Sequence, residues 1–297
     1  MAVSNIGFKY RRNKVGFFKE TDMEKKAVLV SIVLLLGVVA FAQAQEGELH
    51  GSVDVTYQSK YIWRGFAVFG SKGAIQPSVD LDLYGTGFGI NVMGHIPTSS
   101  GYVNAERYDY TLYYGNKILE DEMFATNYRL GWVYYNYPDN SSSVADLQEL
   151  HAILSWPKVL GVEGLVPSYV LVKLWPSESG SLVNKVDLTT GIPTRGNASG
   201  WAHIFMLDYA LTIPGLLPET PEQVLNLHSE LVFNDGVGPA GQNADHDWSN
   251  AVFGASTDFD LGNNLFFTPG LYYQISMDDS VNPDDELWAT LGMKYKF

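Results

Sequence analysis

The chain has no cysteine among its 297 residues, which excludes a disulfide-stapled scaffold and a lipid-anchored lipoprotein. Beyond residue 44 it also has no long apolar run. A spanning helix needs about 20 apolar residues, so any membrane insertion of this part must use strands closed on one another. Basic residues are scarce, 19 Lys+Arg against 33 Asp+Glu, and residues 1–44 hold seven of the former and three of the latter. The remainder therefore carries a net charge near −18. Such a chain repels nucleic acid, and no nucleic-acid partner is expected. No G-x-S-x-G, phosphate loop or dinucleotide fingerprint occurs, and the chain is not expected to be an enzyme. The six histidines contain no H-x-H or H-x-x-x-H pair, so neither a metal site nor a cofactor is expected.

What is present begins with a leader. Lys25 and Lys26 precede the apolar run Ala27–Phe41, and Ala42-Gln43-Ala44 has the small-x-small pattern of a cleavage site. Residues 23–44 read as a secretory signal peptide, too short in its apolar part for a spanning helix. Residues 1–22 show no apolar periodicity. They are expected to be a misassigned upstream extension, with Met23 the start; a long n-region is the alternative.

From residue 45 to 297 the chain reads as strands. Twelve segments alternate apolar and polar side chains: 49–61, 75–84, 88–96, 106–114, 124–137, 149–156, 167–175, 201–213, 225–233, 251–261, 265–275 and 287–297. In a strand, successive residues face opposite sides, so each segment has one apolar and one polar face. The stretch 167–175 is the exception, with Val170, Leu171, Val172 and Leu174 apolar on both faces. Lengths of 8–14 residues, most of them 9–13, suit the ~9–11 that a tilted strand needs to cross a bilayer. The connections alternate in length, long after odd strands and generally shorter after even ones, as in transmembrane barrels. The expected fold is all-β: a single antiparallel transmembrane β-barrel of about 12 strands, of outer-membrane type. A soluble β-sandwich also alternates its strands and is the competing architecture.

Trp63, Trp156, Trp175, Trp201, Trp248 and Trp288 fall near segment ends and are expected to form aromatic girdles at the two membrane interfaces. The last strand ends on Tyr295-Lys296-Phe297. Tyr295 and Phe297 resemble the signal read by barrel-assembly machinery on outer-membrane proteins. The polar faces collect Asp54, Lys60, Asp80, Asp82, Arg107, Asp109, Arg129, Glu149, His151, His228, Glu230 and Asp258. These are the expected pore-lining residues, and they mix signs as a water-filled channel does. A salt-bridge network filling a narrow lumen is the alternative. His203 falls on the apolar face, but position 205 is Phe and supplies no nucleophile, so a lipid-hydrolysing site on the outer wall is not expected.

The block Ser59-Lys60-Tyr61-Ile62-Trp63-Arg64-Gly65, closing the first strand, resembles the opening motif of TorF-type outer-membrane porins. Tyr108–Gly115 and the later hairpins are similar in layout, over about residues 48–297. The resemblance implies a porin barrel and supplies no catalytic or ligand motif to carry over. Arg64-Gly65 suits the start of the first long loop, where glycine permits a bend and arginine can fold toward the lumen or meet a lipid phosphate. Taken together, the expectation is a bacterial outer-membrane channel for passive diffusion of small polar solutes or ions, mildly cation-preferring, with outer-membrane lipid around it. A non-conducting structural or surface-binding barrel is the second reading.

Overall fold

A computed structural model of the chain describes residues 49–297 apart from 103, 144, 179–181, 187–192, 197, 219 and 240–243. The expected leader and upstream extension, 23–44 and 1–22, lie outside the described residues. Twelve long strands follow one another: β1 Leu49–Gln58, β2 Ala74–Leu83, β3 Phe88–Pro97, β4 Arg107–Ile118, β5 Thr126–Asn136, β6 Leu147–Ser155, β7 Leu165–Pro176, β8 Gly200–Pro214, β9 Glu222–Asp235, β10 His246–Thr257, β11 Leu265–Ser276 and β12 Glu286–Lys296. Each pairs antiparallel with the next, and β12 pairs back onto β1 from Ser52↔Lys296 to Gln58↔Thr290. Reciprocal backbone bonds between Gly51 and Phe297, 2.9 and 3.0 Å, complete this seam. The sheet is therefore a closed 12-stranded barrel, the architecture that leaves no unpaired edge. β10 is followed by the two-residue strand Phe259–Asp260, which resumes the ladder to β11.

The sequence makes this shape through its period of two. Leu112, Leu130, Leu150, Phe205, Phe253 and Leu291 all point outward, and each is between 46 % and 53 % exposed. Their strand neighbours Thr111, Gly131, Glu149, Ile204, Val252 and Gly292 point inward. A barrel whose outside is apolar and whose inside is largely polar inverts the arrangement of a soluble fold. Three prolines interrupt the strands where pairing is already broken. Pro77 and Pro269 fall at gaps in the β2–β3 and β10–β11 ladders, and Pro167 at the end of the β6–β7 ladder. A residue without an N–H is tolerated at such places.

The interior is not polar all round. β7 turns Val170, Val172 and Leu174 inward, where they form a buried cluster with Val133, Leu147, Ile204 and Val232 of the flanking strands. That explains a strand apolar on both faces: one side is exterior, and the other packs beneath loops, including Ala198 and Val237. The connections at one end are 59–73, 98–106, 137–146, 177–199, 236–245 and 277–285; those at the other end are mostly shorter, from 84–87 to 258–264. The longest connection contains its own hairpin, Leu182–Val186 paired with Pro193–Gly196.

Candidate functional site

The first long connection folds into the barrel. Ile62–Trp63 pairs with Phe66–Ala67, leaving Arg64-Gly65 as a two-residue turn with φ of +50° and +90°. Positive φ at both central residues is the geometry that matches hairpin twist, and Gly65 adopts it without the penalty a Cβ would bring. Close approach requires glycine as well, since a Cβ there would stand 2.5 Å from Asn250 Oδ1. The tip is tied to opposite walls. Arg64 donates two bonds to Glu149 on β6, 2.7 and 2.9 Å. On the other side, the Gly65 carbonyl accepts from Gln274 of β11 at 3.0 Å and from Asn282 at 3.2 Å. Lys60, at the base of the hairpin, is ion-paired with Glu286.

Aromatic rings fix the arginines. Trp63 lies edge-on to Tyr135, and the guanidinium carbons of Arg64 and Arg107 stand 4.6 and 4.9 Å from the Trp63 ring centre. Arg107 bonds Asp109 twice, at 2.7 and 2.9 Å, and reaches the Tyr61 hydroxyl at 2.8 Å. His95 bridges Gln76 and Asp109 at 2.7 and 2.9 Å. The hairpin is thus held by charge-assisted bonds whose partners are largely buried, the stronger class of hydrogen bond.

Two cavities flank the hairpin. One, of about 800 Å³, lies toward the short-turn end and is lined by Asp54, Asp80, Glu230, Asp258, His228 and Lys294, with Arg64 above. The other, of about 820 Å³, lies toward the long loops and is bordered by Lys60, Arg107, Asp284, Asp285 and Glu286. At the outer rim of the second, Asp285 accepts from the Ser276 N–H and the outward-facing Tyr273 hydroxyl at 2.9 and 2.8 Å. Those bonds hold its carboxyl below the usual carboxylate range, so it is anionic at neutral pH. Among the described residues no group of three potential metal ligands occurs.

No family model matches the chain, and no curated protein does. Solved structures do. An outer-membrane channel from Pseudomonas putida F1 superposes with a TM-score of 0.50 at 11 % identity, covering 84 % of this chain and 96 % of that one. The NanC porin gives 0.49 at 12 % identity, covering 83 % and 100 %, and the KdgM porin gives 0.48 at 9 %, covering 83 % and 99 %. The chain has the fold of an outer-membrane β-barrel.

Within that barrel the expected pore-lining residues separate into groups. Asp54, Asp80, His228, Glu230 and Asp258 border the lower cavity, and Lys60 and Arg107 the upper one. Asp82 accepts the Gly85 N–H at the first short turn. Arg129 sits over the Tyr113 ring and 3.9 Å from Asp80. Asp109, Glu149 and His151 face inward but line neither of these cavities. Asp109 is bound to Arg107 and His95, while Glu149 is bound to Arg64, Tyr135 and His151. These three belong to the wall's own ion-pair network.

The six tryptophans also divide. Trp175, Trp201 and Trp248 lie on the outer face near the long-loop end, and Trp156 follows β6 at the other end with outward parity. Trp63 and Trp288 do not belong to an outer girdle. Trp63 is in the inward hairpin, and Trp288 lines the lower cavity, 8 % exposed and stacked on Tyr272. The parity of β12 requires this, since Trp288 shares a face with Lys294 and Lys296. His203 faces outward, and its ring partner is the Tyr169 hydroxyl at 2.7 Å. Gly65, Asn250, Gln274, Asn282 and Glu286, which complete the seat of the hairpin, were not among the expected site residues. The turn-forming Arg64-Gly65 between two apolar pairs was the available signal for it.

Proposed function

We propose that the chain is an outer-membrane channel that passes small polar solutes and ions by passive diffusion, mildly selective for cations, with the first loop as its constriction. The supporting observation is the pair of cavities of about 800 Å³, each bordered by charged side chains, on either side of a hairpin spanning a closed barrel. Asp54, Asp80, Glu230 and Asp258 outnumber Lys294 and Arg64 around the lower cavity, and Asp82 and Asp260 add acid near that mouth. A low-dielectric channel lined by excess acid concentrates cations. The block that resembles the opening motif of TorF-type porins, residues 59–65, leads into this hairpin, and the narrower family reading rests on that resemblance alone. Export by the leader, with Tyr295 and Phe297 engaging the assembly machinery, belongs to the same reading.

Planar-bilayer recording under a salt gradient tests it. A reversal potential of cation-selective sign is expected, and an anion-selective sign refutes the preference. The anchoring of the hairpin to both walls favours a second reading, a barrel closed at rest whose loops bind a partner. A folded, inserted protein without conductance, which begins to conduct once Arg64 is replaced, would decide for that reading.

A further inference from the structure

The outer wall carries one feature that the channel does not use. Among the described residues, Lys173 is the single Lys or Arg that a barrel strand turns outward, on a face otherwise apolar or uncharged over most of its height. It has no carboxylate partner among the described residues, and its ammonium lies 5.0 Å from the centre of the Trp201 ring. An ionisable side chain on a lipid-facing wall is costly and needs a counter-charge or a route to the interface. Lys173 is close to the long-loop end of β7, within reach of a headgroup.

Next to it the wall is hollowed. The cross-strand row Trp132–Leu150–Lys173 runs beside the row Leu130–Ala152–Leu171. The small Ala152, between two leucines, contributes to an open apolar groove of about 510 Å³ whose border includes Lys173 and Trp201. Because barrel strands are tilted, typically by 35–45°, a row running across them is inclined to the membrane normal rather than lying flat.

We propose that this groove holds a membrane lipid of the long-loop leaflet, its acyl chain between the two rows and its net-negative phosphate headgroup on Lys173. The polarity of the site favours this occupant: an apolar trench ending in one unpaired cation beside a tryptophan complements an anionic amphiphile. A zwitterionic lipid brings its own cation and gains less. The inference rests on the membrane-embedded part of the channel reading and is independent of conduction, since Lys173 points away from the lumen.

The test uses the purified protein in phosphatidylcholine vesicles containing a minor fraction of phosphatidylglycerol, one or the other brominated on its chains. Tryptophan quenching then reports relative binding, with Trp201→Phe identifying the local signal. Phosphatidylglycerol should be preferred roughly fivefold, the equivalent of about 1 kcal/mol for one lysine at a charged surface. Lys173→Gln should bring the ratio to one while conductance and heat-modifiable gel mobility stay unchanged. Ala152→Phe, which fills the trench and keeps the lysine, should also abolish the preference, and free glycerophosphate should not compete. Equal quenching by both lipids in the parent protein overturns the proposal, as does a preference that survives Lys173→Gln. A preference retained in Ala152→Phe, or competed away by glycerophosphate, assigns Lys173 to a bare phosphate and overturns the lipid site. Absence of quenching by either lipid instead defeats the membrane reading itself.

Discussion

Arg64 is a cation carried on a two-residue turn into the middle of a barrel, and its partner Glu149 has a side chain only 1 % exposed. Breaking a buried ion pair from one side costs roughly 3–5 kcal/mol, mostly through the charge left behind. Here the Tyr135 hydroxyl and His151 still bond Glu149 when Arg64 is gone, so the lower figure applies. Arg64→Met should destabilise the folded barrel by about 3 kcal/mol, seen as a lower temperature for the gel-mobility shift. It should also raise single-channel conductance, because one of the two attachments of the hairpin tip is lost. Adding Glu149→Leu in the same protein should recover much of the stability while leaving the conductance high. A double variant no more stable than Arg64→Met alone would show that the stranded charge is not the source of the loss.

At the level of elements, the hairpin separates what the sequence made legible from what it did not. Eleven of the twelve strands follow from alternation, 167–175 being apolar on both faces, and observed bounds such as 88–97 for 88–96 and 265–276 for 265–275 differ at the ends alone. Sustained alternation repeats one instruction many times, which is why it survives noise. The inward hairpin has only two residues on each side of its turn, too few for any period to register. By position alone Trp63 fits an interface residue at a strand end, whereas the chain turns inward after Gln58. Glu149 was legible as inward-facing, but its partner depended on where a loop folds, and strand parity contains no such information. A direct experiment follows from the ladder at the base of the hairpin. The Val68 N–H donates to the Tyr61 carbonyl at 3.1 Å, so replacing residues 62–67 with Asn-Gly joins an already paired junction through a favoured two-residue turn. The shortened protein should still fold and shift on heating, and should conduct severalfold better than the parent with weaker ion selectivity. Unchanged conductance would place the constriction elsewhere.

For the whole molecule, selectivity is a property of summed charge rather than of any one residue. Asp54, Asp80 and Asp258 come from three parts of the barrel, β1, β2 and the segment after β10, yet border one cavity with Lys294. At 0.1 M salt the screening length is about 10 Å, so all of these groups act on an ion passing the cavity; at 1 M it falls to about 3 Å. The combined replacement of Asp54, Asp80 and Asp258 by Asn keeps side-chain size and removes three negative charges. Glu230 then faces Lys294 and Arg64, and Arg129 loses its carboxylate neighbour at Asp80. The lining loses most of its acidic excess, and on the proposed channel reading the reversal potential should move from cation-selective toward anion-selective. The shift should be large near 0.1 M salt and should fade toward 1 M as screening shortens the reach of each charge. A shift independent of salt would mean that the substitutions changed the width of the lumen instead. A triple variant as cation-selective as the parent would move the selectivity to the upper cavity, which Asp284, Asp285 and Glu286 border together with Lys60 and Arg107.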